Sequence, residues 1–329
     1  MSRRRAATPT TAVVVAAAVL VLGGVTVVAP WIGIERVAVV AAVLPARALV
    51  TVVFLGIGAG LVLVAVVLRR VRVVASAVGV VLLVLAAANG AVIAARGWDV
   101  RPVSDAPGGL RVFEWNTNGG LVSGQGAADA ALSVRADVVV LPDAGDRASA
   151  VTVVQTMARH GRAMRLFMGG EGAEVAVLIR ADLAPGASMR PGVDPVKTLS
   201  VSVPGMPTII AVHAPHPVLH GLAGWRADLR WVGATCGRGA DVIVSGDFNA
   251  SVDDFGGAGL GSCRDAASTV RAAGLGTWPT WLDPRLAMPI DHTLVGPAAG
   301  GVRSFTVLRA EDRSGARHRP TLTVVAVRG

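Results

Sequence analysis

Tyrosine is absent from the 329 residues, aromatic side chains make up only 4% of them, and charged side chains only 16%. Globular proteins average about 25% charged residues. A chain this poor in charge and 53% apolar is therefore not an ordinary soluble protein, and part of it must sit in lipid. Only two cysteines are present, which excludes a disulfide-dense scaffold. Acidic residues are scarce at the N-terminal end. Up to Arg96 nine arginines face one acid, Glu35, giving +8, whereas from Gly97 onward 22 basic residues meet 21 acidic ones, giving +1. The overall charge of +9 thus belongs to the first segment, and the rest lacks the basic footprint of a nucleic-acid binder. Leu, Ile and Val are too plentiful for a disordered or collagen-like chain. No fixed-period repeat is visible, and the length allows about two compact units.

The apolar excess has a definite place. Ala12–Ala29, Ala48–Leu68 and Val73–Ala95 are uninterrupted apolar runs, each near the ~20 residues that a spanning helix needs. Between the first two, Pro30 to Arg47 carries Glu35, Arg36 and Pro45. A charge at mid-bilayer costs at least ~2.5 kcal/mol on insertion scales, so this stretch is read as an interfacial loop, with a fourth span as the alternative. Arg3, Arg4, Arg5, Arg69, Arg70 and Arg72 fall on one side of the three spans, against Arg36 and Arg47 on the other. The positive-inside bias then places the N-terminus in the cytoplasm and everything after Arg96 outside the cell membrane. A cleavable signal peptide competes for residues 1–29, but the run is long for one and lacks a small-x-small site before a polar stretch. Gly56 and Gly60 form a G-x-x-x-G that would seat another helix closely, a pattern that chance also produces in a chain this rich in Gly and Ala.

Residues 97–109 are rich in Pro, Gly and Asp and read as a linker, dividing a membrane domain of residues 1–96 from an outer domain of residues 110–329. In the outer domain eight short β-rich runs recur: LRVFEWN, ADVVVLPD, EVAVLIR, TLSVSV, TIIAVHA, DVIVSGDFN, IDHTLVG and TLTVVAV. Helical patterns cover 125–136, 147–161, 219–237 and 263–274. The class is α/β, with enough apolar strands for two packed sheets.

Polar residues that a buried strand does not want sit at strand ends. Asn116 and Asn118 close the first strand, Asp143 the second, His213 the fifth, and Asp247 and Asn249 the sixth; Asp291 and His292 open a strand and His318 precedes the last. Side chains at i and i+2 share a strand face, which pairs Asn116 with Asn118 and Asp247 with Asn249. Asp, Asn and His together suit a hard divalent ion, amides on phosphate oxygens and proton transfer.

In their order, WNTNG, VVVLPD, AVHAPHP, VSGDFNAS, TWPTW, IDHTLVG and RHRPTLTVV resemble the endonuclease/exonuclease/phosphatase superfamily of DNase I, AP endonucleases, neutral sphingomyelinases and inositol-polyphosphate 5-phosphatases. The three-span start, with TWP shortly before IDH, is similar to bacterial membrane members grouped with the glycopeptide-resistance VanJ-like proteins. The resemblance implies a four-layer αββα sandwich and Mg²⁺- or Mn²⁺-dependent cleavage of a phosphoester by activated water. It implies catalytic roles for His213, Asp247, Asn249, Asp291 and His318, phosphate contact by Asn116, and metal binding by Asp143 with Asn118 nearby. Two departures stand out: Arg317 replaces the usual Asp of the last motif, and Asp143 replaces a Glu. Arg317 and Arg319 then become candidates to grip substrate phosphate, while Glu114 or Asp312 could restore a carboxylate.

Blander readings accompany these. Asp143 could be a turn residue, Asp247 and Asn249 an Asx-turn, His318 a solvated loop histidine and His292 structural. The H-x-x-H-x-x-x-H of His213, His216 and His220 is interrupted by Pro215 and Pro217, which breaks a helical zinc site. Cys236 and Cys263, outside the membrane, either bridge or stand as two small buried thiols. Trp278, Trp281, Met288 and Phe255 are either core or, if exposed, an apolar rim toward the bilayer. The expected function is a membrane-tethered extracytoplasmic phosphoesterase acting on a lipid-linked phosphate, a polyprenyl pyrophosphate or a phospholipid headgroup. A surface nuclease and a weakened phosphate-binding or sensory module are the alternatives, nucleic acid being the less favoured partner.

Overall fold

The computed structural model describes residues 9–100, 108–218, 220–257 and 259–327. Arg3, Arg4 and Arg5, and residues 101–107 of the linker, lie outside the described residues. The apolar runs form α1 (Pro9–Ile32), α3 (Arg47–Val67) and α4 (Arg72–Arg96), each helix long and apolar enough to cross a membrane. A helix satisfies its backbone groups internally, as lipid requires. Gly56 and Gly60 meet nothing, so that motif seats no helix within the chain. The close approach is instead Gly58 against Gly79, where a Cβ on either would stand 3.0 Å from the other's carbonyl oxygen.

The segment between α1 and α3 is not a plain loop. It folds into α2 (Ala38–Val43) and a 3₁₀ turn (Leu44–Ala46) that runs directly into α3, and its six-residue helix is far too short to be a fourth span. Its arginines face the C-terminal domain. Arg47 donates to Asp253 Oδ2 at 2.9 Å and to Asn89 Oδ1 at 2.7 Å, and Arg96 at the end of α4 binds the same Asp253 carboxylate. Arg36 donates to the carbonyls of Asp254 and Phe255, Arg226 donates to the Arg36 carbonyl, and Gly257 N–H donates to Pro30 O at 3.0 Å.

Among the described residues twelve strands follow: β1 (Leu110–Glu114), β2 (Val138–Leu141), β3 (Met164–Met168), β4 (Ala176–Arg180), β5 (Ser188–Pro191), β6 (Thr198–Ser202), β7 (Thr208–His213), β8 (Val242–Asp247), β9 (Arg264–Asp265), β10 (Asp291–Val295), β11 (Gly300–Val307) and β12 (Thr321–Val327). They make two six-stranded mixed sheets, ordered β11-β12-β1-β2-β4-β3 and β5-β6-β7-β8-β10-β9. The eight runs expected as strands are the eight interior strands; β3, β5, β9 and β11, which the sequence did not announce, are the four edges. Of the expected helices, three appear as α5 (Gly124–Ser133), α6 (Arg147–Arg159) and α7 (Leu222–Thr235), while 263–274 shrinks to one turn, α8 (Ala266–Thr269).

Val112, Val138, Val140 and Val177 pack face to face with Val201, Ile209, Ala211 and Ile243 between the sheets. On the outer face of the first sheet, Trp115, Val139 and Leu178 pack against Ala127, Ala131 and Val153 of α5 and α6. On the outer face of the second, Val212, Val244 and Phe248 pack against Trp225 and Leu229 of α7 and against Ala41 of α2. These are the four layers of an αββα sandwich, with a piece of the N-terminal helical region in the outermost one. A disulfide joins Cys236 to Cys263, settling the alternative in favour of the bridge.

Asp253 has a side chain only 1% exposed between Arg47 and Arg96. Removing one partner of a buried ion pair leaves the other charge uncompensated, at a cost of ~3–5 kcal/mol. Asp253→Ala should lower the melting temperature of the full-length protein in detergent by several degrees, and adding Arg47→Met should recover part of that loss. A melting temperature unmoved by Asp253→Ala would show that the contact holds nothing.

Candidate active site

The site gathers at one end of the sandwich because strand directions bring it there. In register, His213 lies opposite Asp247, Asp247 opposite Asp291, and Leu141, just before Asp143, opposite Ala176. β12 runs antiparallel to β1, so His318, just ahead of it, returns beside Asn116. Gly246 permits this crowding, since with φ +148 it passes so close to Val212 that a Cβ would run into that residue's carbonyl oxygen.

The i, i+2 pairs are not strand neighbours as expected. Each is an Asx-turn at the C-terminal end of a strand: Asn116 Oδ1 accepts from Asn118 N–H at 2.8 Å, and Asp247 Oδ1 from Asn249 N–H at 2.8 Å. Asn118, Asp143 and Asn249 have φ of 54°, 49° and 45°, three of the five non-glycine residues with positive φ among the described residues. Such strain persists only where surroundings over-determine it. Asn116 Nδ2 donates to Asp247 Oδ2 at 2.9 Å, and Asn249 Nδ2 to Ala214 O at 2.8 Å. Gly119 N–H donates to Asp143 O at 3.0 Å, setting Asn118 on the turn beside Asp143.

Two histidine–carboxylate pairs face each other across this end. His318 Nδ1 lies 2.9 Å from Asp291 Oδ2, with its Nε2 4.0 Å from Asp247 Oδ2. His213 Nδ1 lies 2.8 Å from Glu174 Oε2, and Lys197 Nζ approaches the same oxygen at 3.4 Å. Glu174 was missed because it stands at the start of a run read only as a strand; the signal was available, since β4 runs antiparallel to β2 and must begin where β2 ends.

Asp143, Glu174 and His213 form one group that could hold a metal ion, and Asp247, Asp291 and His318 another, with ligand atoms in each within 4.8 Å of one another. The first fits a hard cation better. No described hydrogen bond takes the carboxylate of Asp143 and only one oxygen of Glu174 is engaged, by His213 and Lys197, whereas the carboxylates of Asp247 and Asp291 are engaged by Asn116, Asn249 and His318. Carboxylate oxygens are what Mg²⁺ or Mn²⁺ requires.

Burial opposes the charge on His318, but Asp291 beside it, with Asp247 and Asp143 further off, pushes its pKa up to about 9. His318 is therefore a buried imidazolium and not a solvated loop residue. His213 is likewise raised, burial being outweighed by Glu174 and Asp247. Burial first, and then Asp291, raises Asp247. The same two causes raise fully buried Glu114 well above the carboxylate range; it accepts from Thr321 Oγ1 at 3.0 Å beneath the site. His292 is buried structure, its nitrogens 2.9 Å from Asp265 Oδ1 and 2.9 Å from Ala250 O.

The expected grip of Arg319 on substrate does not hold. Its guanidinium is 1% exposed and donates to Asp312 and to the carbonyls of Pro279, Thr280 and Leu282, so it braces the TWPTW loop. That pairing also removes Asp312 as a replacement carboxylate. Arg317 is exposed, and no described hydrogen bond or ion pair takes its guanidinium. Above His318 and Asn249 opens a cleft of about 380 Å³ whose other walls include Trp278, Met288 and Val218. Trp281 is 79% exposed and Phe255 is buried core.

A histidine held charged by its partner contributes stability that is complete below its ordinary pKa of about 6.5 and lost as pH rises through its folded value of about 9. In metal-free protein the His318 ring should titrate near 9 by NMR, and Asp291→Asn should lower that value by more than one unit. Titration of His318 at the ordinary value in the parent would dissolve the charged pair.

Residues 113–317 match the family model of the endonuclease/exonuclease/phosphatase family. No curated protein matches the chain. Among solved structures, TDP2 from C. elegans is 16% identical with a TM-score of 0.51, over 66% of this chain and 75% of that one. A truncated C. elegans TDP2 is 16% identical with a TM-score of 0.50, over 66% of this chain and 98% of that one. The 3′ phosphatase NExo from Neisseria aligns at 17% identity and a TM-score of 0.44, over 66% and 99%. At these identities the likeness to the first two is one of fold. The family match covers more than half of the chain and runs from β1 to Arg317, immediately before His318, so the protein belongs to the endonuclease/exonuclease/phosphatase family.

Proposed function

We propose that the protein is a membrane-tethered, divalent-metal-dependent phosphoesterase that works outside the cytoplasm on a lipid-linked phosphate, a polyprenyl pyrophosphate or a phospholipid headgroup. The observation that carries the reading is the convergence of His213–Glu174 and His318–Asp291 around Asp143 and Asp247 at one end of the sandwich. Asp143 and Glu174 would hold the cation, which when bound supplies positive charge to the phosphoryl oxygens. Asp247, held by Asn116 and Asn249, orients the attacking water and takes its proton. His318, charged at neutral pH, donates to the phosphoryl group or leaving oxygen, and His213 neutralises the oxygens from the other side. Asn116 and Asn249 fix the floor on which the phosphate rests.

Tethering supports the choice of substrate, because a site held at the bilayer meets lipid-borne phosphates at high effective concentration. Nucleic acid is disfavoured by the charge of about +1 after Gly97, since backbone binding leans on clustered Lys and Arg. The three candidate spans ahead of the catalytic domain accord with the VanJ-like membrane members.

With Mg²⁺ or Mn²⁺, the full-length protein in detergent should hydrolyse a polyprenyl pyrophosphate or a phospholipid headgroup ester. Asp247→Ala and His318→Ala should each slow it at least ~10²-fold without loss of melting cooperativity, and Asp143→Ala should abolish metal binding by calorimetry. Cleavage of DNA and not of lipid would replace this reading with a surface nuclease. Metal binding without any turnover would make the protein a phosphate-binding module.

For the topology, a reporter enzyme that works only after export, fused after Gly329, should be active. Activity of a cytoplasm-only reporter at that point would reverse the orientation.

A further inference from the structure

We infer that the membrane domain supplies one wall of the substrate cleft, and that Ala41, Ala42 and Pro45 seat the first carbons of a single apolar chain esterified to the phosphate. The inference rests on the phosphoesterase reading above and extends it from the chemistry to the shape of the substrate.

The cleft is lined mostly by apolar side chains, with His318, Asn249 and His216 as its polar lining. The connector between α1 and α3 contributes Ala41, Ala42 and Pro45 to it, beside Trp278, Met288, Ile290, Pro217 and Val218. A water-soluble phosphate needs no such wall. An amphiphile does, because each methylene taken out of water strengthens binding about fourfold.

The wall is fixed. Arg47 at its C-terminal end is tied to Asp253, Arg36 at its N-terminal end to the carbonyls of Asp254 and Phe255, and Ala41 is packed into the core beneath α7. Ala42, small and exposed, leaves the space open, while Ala41 behind it is fully buried. The same segment leads directly into α3, so a chain leaving the cleft past it is already at the bilayer. A volume of about 380 Å³ lies at the small end of ligand pockets, which run from ~300 to ~1,000 Å³. It suits a phosphate with one chain and not a glycerol that carries two.

The test needs no turnover. The two native cysteines are joined in a disulfide, so Ala42→Cys in the full-length protein carries the one free thiol. Its rate of modification by a water-soluble maleimide is measured in detergent with Mn²⁺. Farnesyl phosphonate, which cannot be hydrolysed at its C–P bond, should slow the reaction at least fivefold. Methylphosphonate, farnesol and dioleoyl phosphatidic acid at equal concentration should each change it less than twofold. Val218→Cys, also in the cleft lining and 54% exposed, should be protected in the same way. Val193→Cys, exposed and outside the cleft, should not.

No protection at either cleft position overturns the inference. Equal protection by farnesol makes the cleft an apolar groove unconnected with phosphate, and equal protection by phosphatidic acid removes the single-chain assignment. If protection is seen while the parent hydrolyses no lipid phosphate, the subsite stands and the phosphoesterase reading falls. If the parent hydrolyses lipid phosphate without protection, the reverse holds.

Discussion

A carboxylate buried between two arginines joins the halves of this molecule. Asp253 comes from the loop that follows the GDFN strand, Arg47 from the start of one candidate membrane helix and Arg96 from the end of another. Charges taken out of water are tolerated only when paired and hydrogen-bonded, and Asn89 supplies the further bond to Arg47. Since Asp253 stands four residues after Asn249, whatever fixes this cluster also fixes the loop that carries one end of the site. Backbone contacts of Arg36 and Gly257 along the same seam keep the connector from swinging away.

Inside the sandwich the governing constraint is strand direction. The candidate site's side chains come from separate strands and strand ends of both sheets, yet all lie at one end, because the parallel pairs β1–β2 and β7–β8 deliver their C-terminal ends there and the antiparallel β4, β10 and the segment before β12 begin there. Two buried carboxylates close to one another would repel; the imidazolium of His318 between Asp291 and Asp247 offsets that.

The sequence was most legible where burial was complete. Val138–Leu141, Val242–Asp247 and Asp291–Val295 are covered on both faces, so they read as apolar runs. The edge strands were not legible for the complementary reason: β5 is exposed along its whole length, β9 has two residues, and β11 alternates irregularly around a register shift. Motif order located Asn116, Asp143, His213, Asp247, Asp291 and His318 at one end. It said nothing of Glu174, whose role follows from the antiparallel pairing of β2 with β4 and not from any local pattern. Arg319 misled because its charge matched a phosphate, while its actual partners, Asp312 and three loop carbonyls, become neighbours only on folding. The Pro30–Arg47 stretch misled because its charges argued against lipid but could not reveal that they are aimed at the loop after the GDFN strand.

The clamp at Asp253 also orders events in time. Asp253 follows Arg96 by 157 residues and Arg47 by 206, so at ~5–20 residues per second of synthesis the two arginines wait on the order of ten to forty seconds before their carboxylate exists. Through that interval the helical bundle must hold them in place, with Asn89 as the partner of Arg47. The bundle is thus a template on which the later domain closes. A substitution that disperses the two arginines will present as misfolding of a domain that contains none of the altered residues.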